Sequence, residues 1–219
     1  MDDYYHLLFI SLLLELIIDY HHLLQSSLLL ITIITIIICN HLIIIDSYWG
    51  TEQYLFTKFN SMVKKDCVKR GKVGFMSPSP AAKKNPTYRE VCTGTTSYVE
   101  VYDLEFDGSE DSYRSLCKFF FMFHDPTTFN RQGNDRGTQY ASAIFYYDDK
   151  QKEIANEVLD EVQKFVNEGK VRYQEGKVTT DIHPATTFYA AQDDHQEYLN
   201  KNPFGYCNHA FRFKTWPSK

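Results

Sequence analysis

The stretch YVEVYDLEFDGSEDSYRSLCKFFFMF, Tyr98 to Phe123, decides the fold. Its first nine residues alternate apolar and polar side chains, the period of a half-buried strand. Asp107 to Ser109 is a turn. From Glu110 to Phe123 the residues Tyr113, Leu116, Cys117 and Phe120 fall on one face at helical spacing. A strand that hands over to a helix across one short turn is the unit from which a layered sheet-and-helix domain is built.

The chain downstream continues in the same manner. HDPTTFNRQGNDRG, His124 to Gly137, is a long polar loop, and loops of that length are usually functional. Thr138 to Tyr147 reads as a strand. Asp149 to Gly169 is the clearest helix, with Ile154, Val158, Val162, Phe165 and Val166 in register and Gly169 as its stop. Lys177 to Ile182 reads as a strand, Ala190 to Asn200 as a short helix, and the region of Cys207 as an irregular tail. Upstream, SPSPAAKKNP is a loop and Lys72 to Met76 a short strand. A helix capped by Ser47 or Thr51 runs to about Val63, with Leu55, Phe56, Phe59 and Met62 facing inward. Strands and helices alternate around a small sheet, which fits either an α+β or an α/β sandwich.

The chain has 219 residues, suited to one domain, and 43% hydrophobic and 16% aromatic residues supply a core. Its net charge of −5 lies wholly in residues 1–46, which hold Asp2, Asp3, Glu15, Asp19 and Asp46 and no Lys or Arg. The remainder is neutral and gives no electrostatic footprint for nucleic acid. Five cysteines without CxxC spacing argue against a secreted disulfide framework and for a reducing compartment, cytoplasmic or organellar. SLLLITIITIIICNHLIII is apolar enough to be read as a membrane anchor. An unusual targeting segment, or a stretch foreign to the natural mature protein, are the other readings of residues 1–46. The domain proper is expected over residues 47–219.

Candidate chemistry is sparse by motif alone. The histidines do not cluster at metal-ligand spacing, and neither a phosphate loop nor a dinucleotide fingerprint is present. Ser47 lacks the GxSxG elbow of a hydrolase and serves equally well as a helix N-cap. Tyr88, Tyr98, Tyr140 and Tyr206 read singly as core tyrosines. Glu100, inside the apolar run VEVY, is either solvent-facing or a buried carboxyl kept neutral by desolvation, the signature of a general acid.

Five blocks in order resemble the A-type peptide methionine sulfoxide reductases: SYWGTE, NPTYREVCTGTTSYVEV, FMFHDPTTFNRQGNDRGTQYASAIFY, FYAAQDDHQEYL and KNPFGYC. The resemblance spans Ser47 to Cys207. It implies an α+β fold with a ferredoxin-like, split β-α-β mixed sheet and flanking helices. It implies reduction of methionine-S-sulfoxide in oxidised proteins or as the free amino acid, by a monomer that binds no cofactor and takes electrons from thioredoxin or another dithiol. The family's nucleophilic cysteine, in GCFWG, falls on Ser47. The aromatic pair that receives the substrate methyl group falls on Tyr48 and Trp49. The acid that protonates the sulfoxide oxygen falls on Glu100, and the hydroxyls that hold that oxygen fall on Tyr88 and Tyr140. The loop aspartate falls on Asp135 and the resolving cysteine on Cys207.

Serine at position 47 departs from that pattern at its centre. An alcohol without an adjacent base is a poor nucleophile toward sulfur, and it forms no sulfenic acid for Cys207 to resolve. Ile45 and Asp46 replace the small residues usual before the nucleophile, and NHAFRFKTWPSK departs from the family's glycine-rich tail. The chain is thus a Cys-to-Ser form of a reductase, a chain with a foreign N-terminal junction, an inactive methionine-sulfoxide-binding module, or an enzyme using another thiol, for which Cys92 is the stand-in.

Overall fold

The computed structural model describes residues 25–26, 41–45, 48–63 and 65–218, with the backbone alone at residues 45 and 48. The elements below belong to the compact unit Asn40–Lys219. Its strands are β1 (His41–Ile45), β2 (Val68–Met76), β3 (Val99–Phe106), β4 (Arg131–Gln132), β5 (Asp135–Arg136), β6 (Ala143–Tyr146), β7 (Asp181–Pro184) and β8 (Tyr189–Ala190). Its helices are α1 (Tyr48–Glu52), continued by a π-helical stretch Gln53–Phe59 and by α2 (Asn60–Val63), then α3 (Tyr88–Cys92), α4 (Glu110–Phe123), a 3₁₀ turn Thr138–Tyr140, α5 (Asp149–Asn167) and α6 (Tyr198–Lys201).

Six strands form a mixed sheet in the order β7-β6-β1-β3-β2-β8, while β4 and β5 form a small hairpin of their own. Among the described residues only the β6–β7 pair of that sheet is parallel. The fold is α+β, with helices flanking the sheet. One face of the sheet carries the main core: Leu42, Ile44, Phe75, Tyr102 and Leu104 meet Leu55 and Phe59 and the buried faces of α4 and α5. The other face is a smaller cluster of Ile43, Met76, Val99, Val101, Ala143 and Phe145. Alternation along β1 and β3 assigns their side chains to the two faces, as strand geometry requires.

The opening stretch folds as its pattern predicts, with Val99–Phe106 a strand and Glu110–Phe123 a helix. Ser109 caps α4 by accepting the Ser112 N–H at 3.2 Å, which closes the turn where the strand ends. Several elements differ from expectation. The boundary expected between residues 46 and 47 does not hold, because HLIII is the strand between β3 and β6. Its β-branched isoleucines suit a pleated surface covered on both sides, so an apolar run that reads as membrane segment supplies sheet. The anchor reading otherwise concerns residues outside the described ones; among the described residues no helix is long and apolar enough to cross a membrane.

Phe56 and Met62, expected inward, are exposed, whereas Leu55 and Phe59 are buried. The π-helical stretch Gln53–Phe59, which holds Phe56, changes the number of residues per turn and breaks the 3.6-residue face. The strand expected at Thr138 to Tyr147 starts only at Ala143, after the 3₁₀ turn, and that at Lys177 to Ile182 is Asp181–Pro184. The helix expected over Ala190 to Asn200 is reduced to Tyr198–Lys201, and Gln196 ties the irregular residues 191–197 to β2 through Val73. Helix α3 has no apolar periodicity but a capping box: Thr87 accepts the Glu90 N–H at 3.3 Å, and the Glu90 carboxylate accepts the Thr87 N–H at 2.9 Å.

Candidate functional site

The site lies where α1, α3, β3, the hairpin region and the tail converge. Glu100 sits on β3 opposite Phe75 of β2 and shares a face with Tyr98 and Tyr102, so it points toward the helices. It is 3% exposed, which removes the solvent-facing alternative. Tyr88, the first residue of α3, is half-buried, and its hydroxyl lies near the Cys92 thiol, Glu100 and Tyr140. Burial first, then those neighbours, raise the Tyr88 hydroxyl above its ordinary value, and burial with Glu100 and Asp135 does the same to Tyr140. Both phenols therefore stay protonated and can donate hydrogen bonds throughout the neutral range.

The long polar loop is folded by its own side chains. The Asp125 carboxylate accepts the N–H groups of Thr127 at 3.0 Å and Gln174 at 2.9 Å, and the Thr128 hydroxyl bonds the Arg131 carbonyl. His124 is fully buried between the Phe120 carbonyl at 2.6 Å and the Ser142 hydroxyl at 2.9 Å. These anchors fix the β4–β5 hairpin with Asp135 and the 3₁₀ turn with Tyr140.

Trp49 supplies an aromatic wall. Tyr198 stacks on it at 3.8 Å between centroids and 16° between planes, and His195 lies at 5.9 Å and 18°. His195 packs in turn on Tyr88 at 4.4 Å, which links the aromatic wall to the phenols around Glu100. The tail closes the other side. Asn208 donates to the Asp135 carboxylate and to the Gln132 carbonyl, both at 2.7 Å. His209 is buried against Gly50, where a Cβ would lie 1.9 Å from its Nδ1, and the Tyr54 hydroxyl bonds its carbonyl at 3.3 Å. The exposed Cys207 thiol approaches His209 Nδ1 at 4.0 Å. Burial raises that thiol, but the hydrogen bonds and charge of His209 outweigh it, and the net result lies below the ordinary cysteine value.

The structure thus brings together Trp49, Tyr88, Glu100, Asp135, Tyr140 and the Cys207 tail. Ser47 lies outside the described residues, as does the side chain of Tyr48. Cys92, expected as the stand-in thiol, is adjacent to the phenols, yet burial raises its thiol and leaves it a weaker nucleophile than Cys207. Sequence reading missed Glu52, His195, Tyr198, Asn208 and His209. The first three stand inside SYWGTE and FYAAQDDHQEYL, so their signal was present without a role. Among the described residues no group of three His, Cys, Asp or Glu side chains could hold a metal.

A family model described as peptide methionine sulfoxide reductase matches residues 43–217. The chain is 42% identical over 165 residues to a protein of Schizosaccharomyces pombe named as a probable peptide methionine sulfoxide reductase, covering 75% of this chain and 90% of that one. Among solved structures it resembles the reduced form of Mxr1 from Saccharomyces cerevisiae, with TM-score 0.66, 31% identity, and 79% of this chain and 92% of that chain covered. It also resembles methionine sulfoxide reductase A of Corynebacterium diphtheriae, with TM-score 0.61, 36% identity and 77% of each chain covered.

Proposed function

We propose a function from one premise: this chain belongs to the A-type peptide methionine sulfoxide reductases. The site is a methionine-S-sulfoxide site, which in its cysteine form reduces the sulfoxide to methionine in oxidised proteins. The observation that carries this reading is the buried Glu100 beside two protonated phenols, Tyr88 and Tyr140, next to the aromatic wall of Trp49. A sulfoxide presents a basic oxygen and a methyl group. The three hydroxyl-bearing groups suit the oxygen, and the aromatic wall, with Tyr48 beside Trp49 in sequence, suits the methyl.

The chemistry follows from that arrangement. A thiolate at position 47 attacks the sulfoxide sulfur, the oxygen leaves that sulfur for the thiol with protons from the acidic groups, and methionine departs. The thiol is thereby oxidised by two electrons to a sulfenic acid. Cys207 condenses with it, forming a disulfide and releasing water, and a dithiol such as thioredoxin returns the two electrons. Asp135 supports the site by holding Asn208 and hence the Cys207 tail. The strand order β6-β1-β3-β2, with crossovers through α1 and α4, supports a ferredoxin-like split β-α-β arrangement. A monomer in a reducing compartment fits these parts, and the residues before β1 decide whether it is anchored to a membrane.

Serine at position 47 favours a second reading, a binding module that holds methionine sulfoxide without turning it over. Both readings need Glu100 at the oxygen. Glu100→Gln in the chain as written should weaken binding of a methionine-S-sulfoxide peptide, measured by calorimetry. Unchanged affinity would remove Glu100 from the oxygen site.

A further inference from the structure

Helix α1 begins at Tyr48, directly after position 47, and the tail touches it at its third residue, Gly50. His209 Nδ1 is the meeting point: it lies 1.9 Å from where a Gly50 Cβ would stand and 4.0 Å from the Cys207 sulfur. The exposed Cys207 thiol therefore sits over the first turn of α1. A disulfide requires its two Cα atoms within about 7 Å of each other, so a tail cysteine reaches position 47 only if something keeps the tail there.

The two residues after Cys207 do so. Asn208 spends both N–H bonds of its amide on the β4–β5 hairpin, donating to the Gln132 carbonyl and to the Asp135 carboxylate, both at 2.7 Å. Gly133, left-handed at φ 59°, makes room for it: an added Cβ would lie 3.0 Å from the Asn208 Cβ. The buried His209 accepts the Tyr54 hydroxyl at its carbonyl, and its ring packs on Phe123 at 5.5 Å and on Tyr54 at 6.0 Å. The next residues continue the attachment. Phe211 packs on Tyr54 and Phe119, and the Arg212 N–H donates to the Met122 carbonyl at 2.8 Å. On the other side of Cys207, Phe204 and Tyr206 are exposed. The thiol is thus held from its C-terminal side.

We propose that Asn208 and His209 are positioning residues: bound to the β4–β5 hairpin and seated on Gly50, they hold Cys207 within bonding range of position 47, so that the resolving disulfide closes from a tail already in place. The role in resolution rests on the reading of position 47 given above, whereas the anchoring of the tail is independent of it.

Ser47→Cys supplies the second thiol. In mixtures of reduced and oxidised glutathione it should form the disulfide between position 47 and Cys207, identified by peptide mapping, with one oxidised glutathione consumed and two reduced ones released. The equilibrium gives the effective concentration of the two thiols, which reports their placement and needs no turnover. Adding Asn208→Ala should lower it about tenfold, the worth of one hydrogen bond to a charged group, with the urea midpoint near that of Ser47→Cys alone. Asn208→Asp, which sets a second carboxylate against Asp135, should lower it at least as far and serves if the alanine form does not fold. Combining Asn208→Asp with Asp135→Asn restores a donor and an acceptor with their roles reversed and should recover part of the loss, which a merely loosened fold would not. An unchanged effective concentration in folded Asn208→Ala or Asn208→Asp, or no such disulfide in Ser47→Cys, would overturn the anchor. Methionine release from a methionine-S-sulfoxide peptide is scored separately, on Ser47→Cys alone. A tenfold loss beside no methionine would overturn the site reading and leave the anchor standing, and methionine release beside an unchanged effective concentration would do the reverse.

Discussion

Removing residues 1–39 and removing residues 1–46 should have opposite outcomes, although the two chains differ by seven residues. The longer deletion takes out β1, which pairs with β3 over five residues and with β6 over three. It removes Leu42, Ile43 and Ile44, each 0% exposed, from both faces of the sheet. At about 1.5–3 kcal/mol for each buried aliphatic side chain, the loss is about 5–9 kcal/mol, before the two exposed strand edges are counted. That is comparable with the whole stability of a typical domain, about 5–15 kcal/mol. The 40–219 chain should therefore show a cooperative urea transition by circular dichroism, and the 47–219 chain should be unfolded or aggregated. The single substitution Ile44→Ala should cost about 2–5 kcal/mol in the same assay. A 47–219 chain that unfolds cooperatively with an unchanged midpoint would refute the reasoning, since β1 would then be dispensable.

Three further outcomes follow from the site. Glu52 has its carboxyl raised to about 7 by burial, so the neutral form's advantage is complete below the ordinary 4.5 and is lost as pH rises through about 7. Glu52→Gln should remove that loss, worth about 3 kcal/mol at most and less after solvent screening, in urea titrations between pH 5 and 8; parallel stability curves for the two chains would contradict this. Gly50→Ala places a Cβ 1.9 Å from the buried His209 ring, which is also packed by Tyr54 and Phe123, and should cost about 1–3 kcal/mol in thermal unfolding. His209→Asn should shift the pH midpoint of Cys207 alkylation upward, followed by peptide mapping with iodoacetamide; an unmoved midpoint would mean that His209 does not tune the thiol.

How far the sequence discloses this molecule depends on which force shapes each part. Periodicity reports burial, so α4, α5 and β3 are legible, because one face of each meets the main core. β1 is not, because a strand covered on both faces has no alternation and HLIII is continuous with an apolar run before it. Phe56 and Met62 mislead because a π-helical stretch breaks the helical face, which no spacing rule anticipates. Residues 191–197 read as helix but are fixed by Gln196, whose long-range hydrogen bonds to Val73 are invisible along the chain. Within the site, Tyr88, Glu100, Asp135, Tyr140 and Cys207 come from family blocks, and the structure adds their convergence. His209 and Asn208 stand outside those blocks, so their roles emerge only from their contacts with Cys207 and Asp135.

The central claim is the proposed function: a methionine-S-sulfoxide reductase site whose nucleophile position, residue 47, carries serine. The most direct test is dithiothreitol-driven reduction of a methionine-S-sulfoxide peptide by Ser47→Cys beside the chain as written. The account predicts turnover by the cysteine form and a rate lower by up to about 10⁶-fold in the serine form. A folded Ser47→Cys chain that binds the peptide yet turns nothing over, or a serine form that reduces it equally fast, would contradict it.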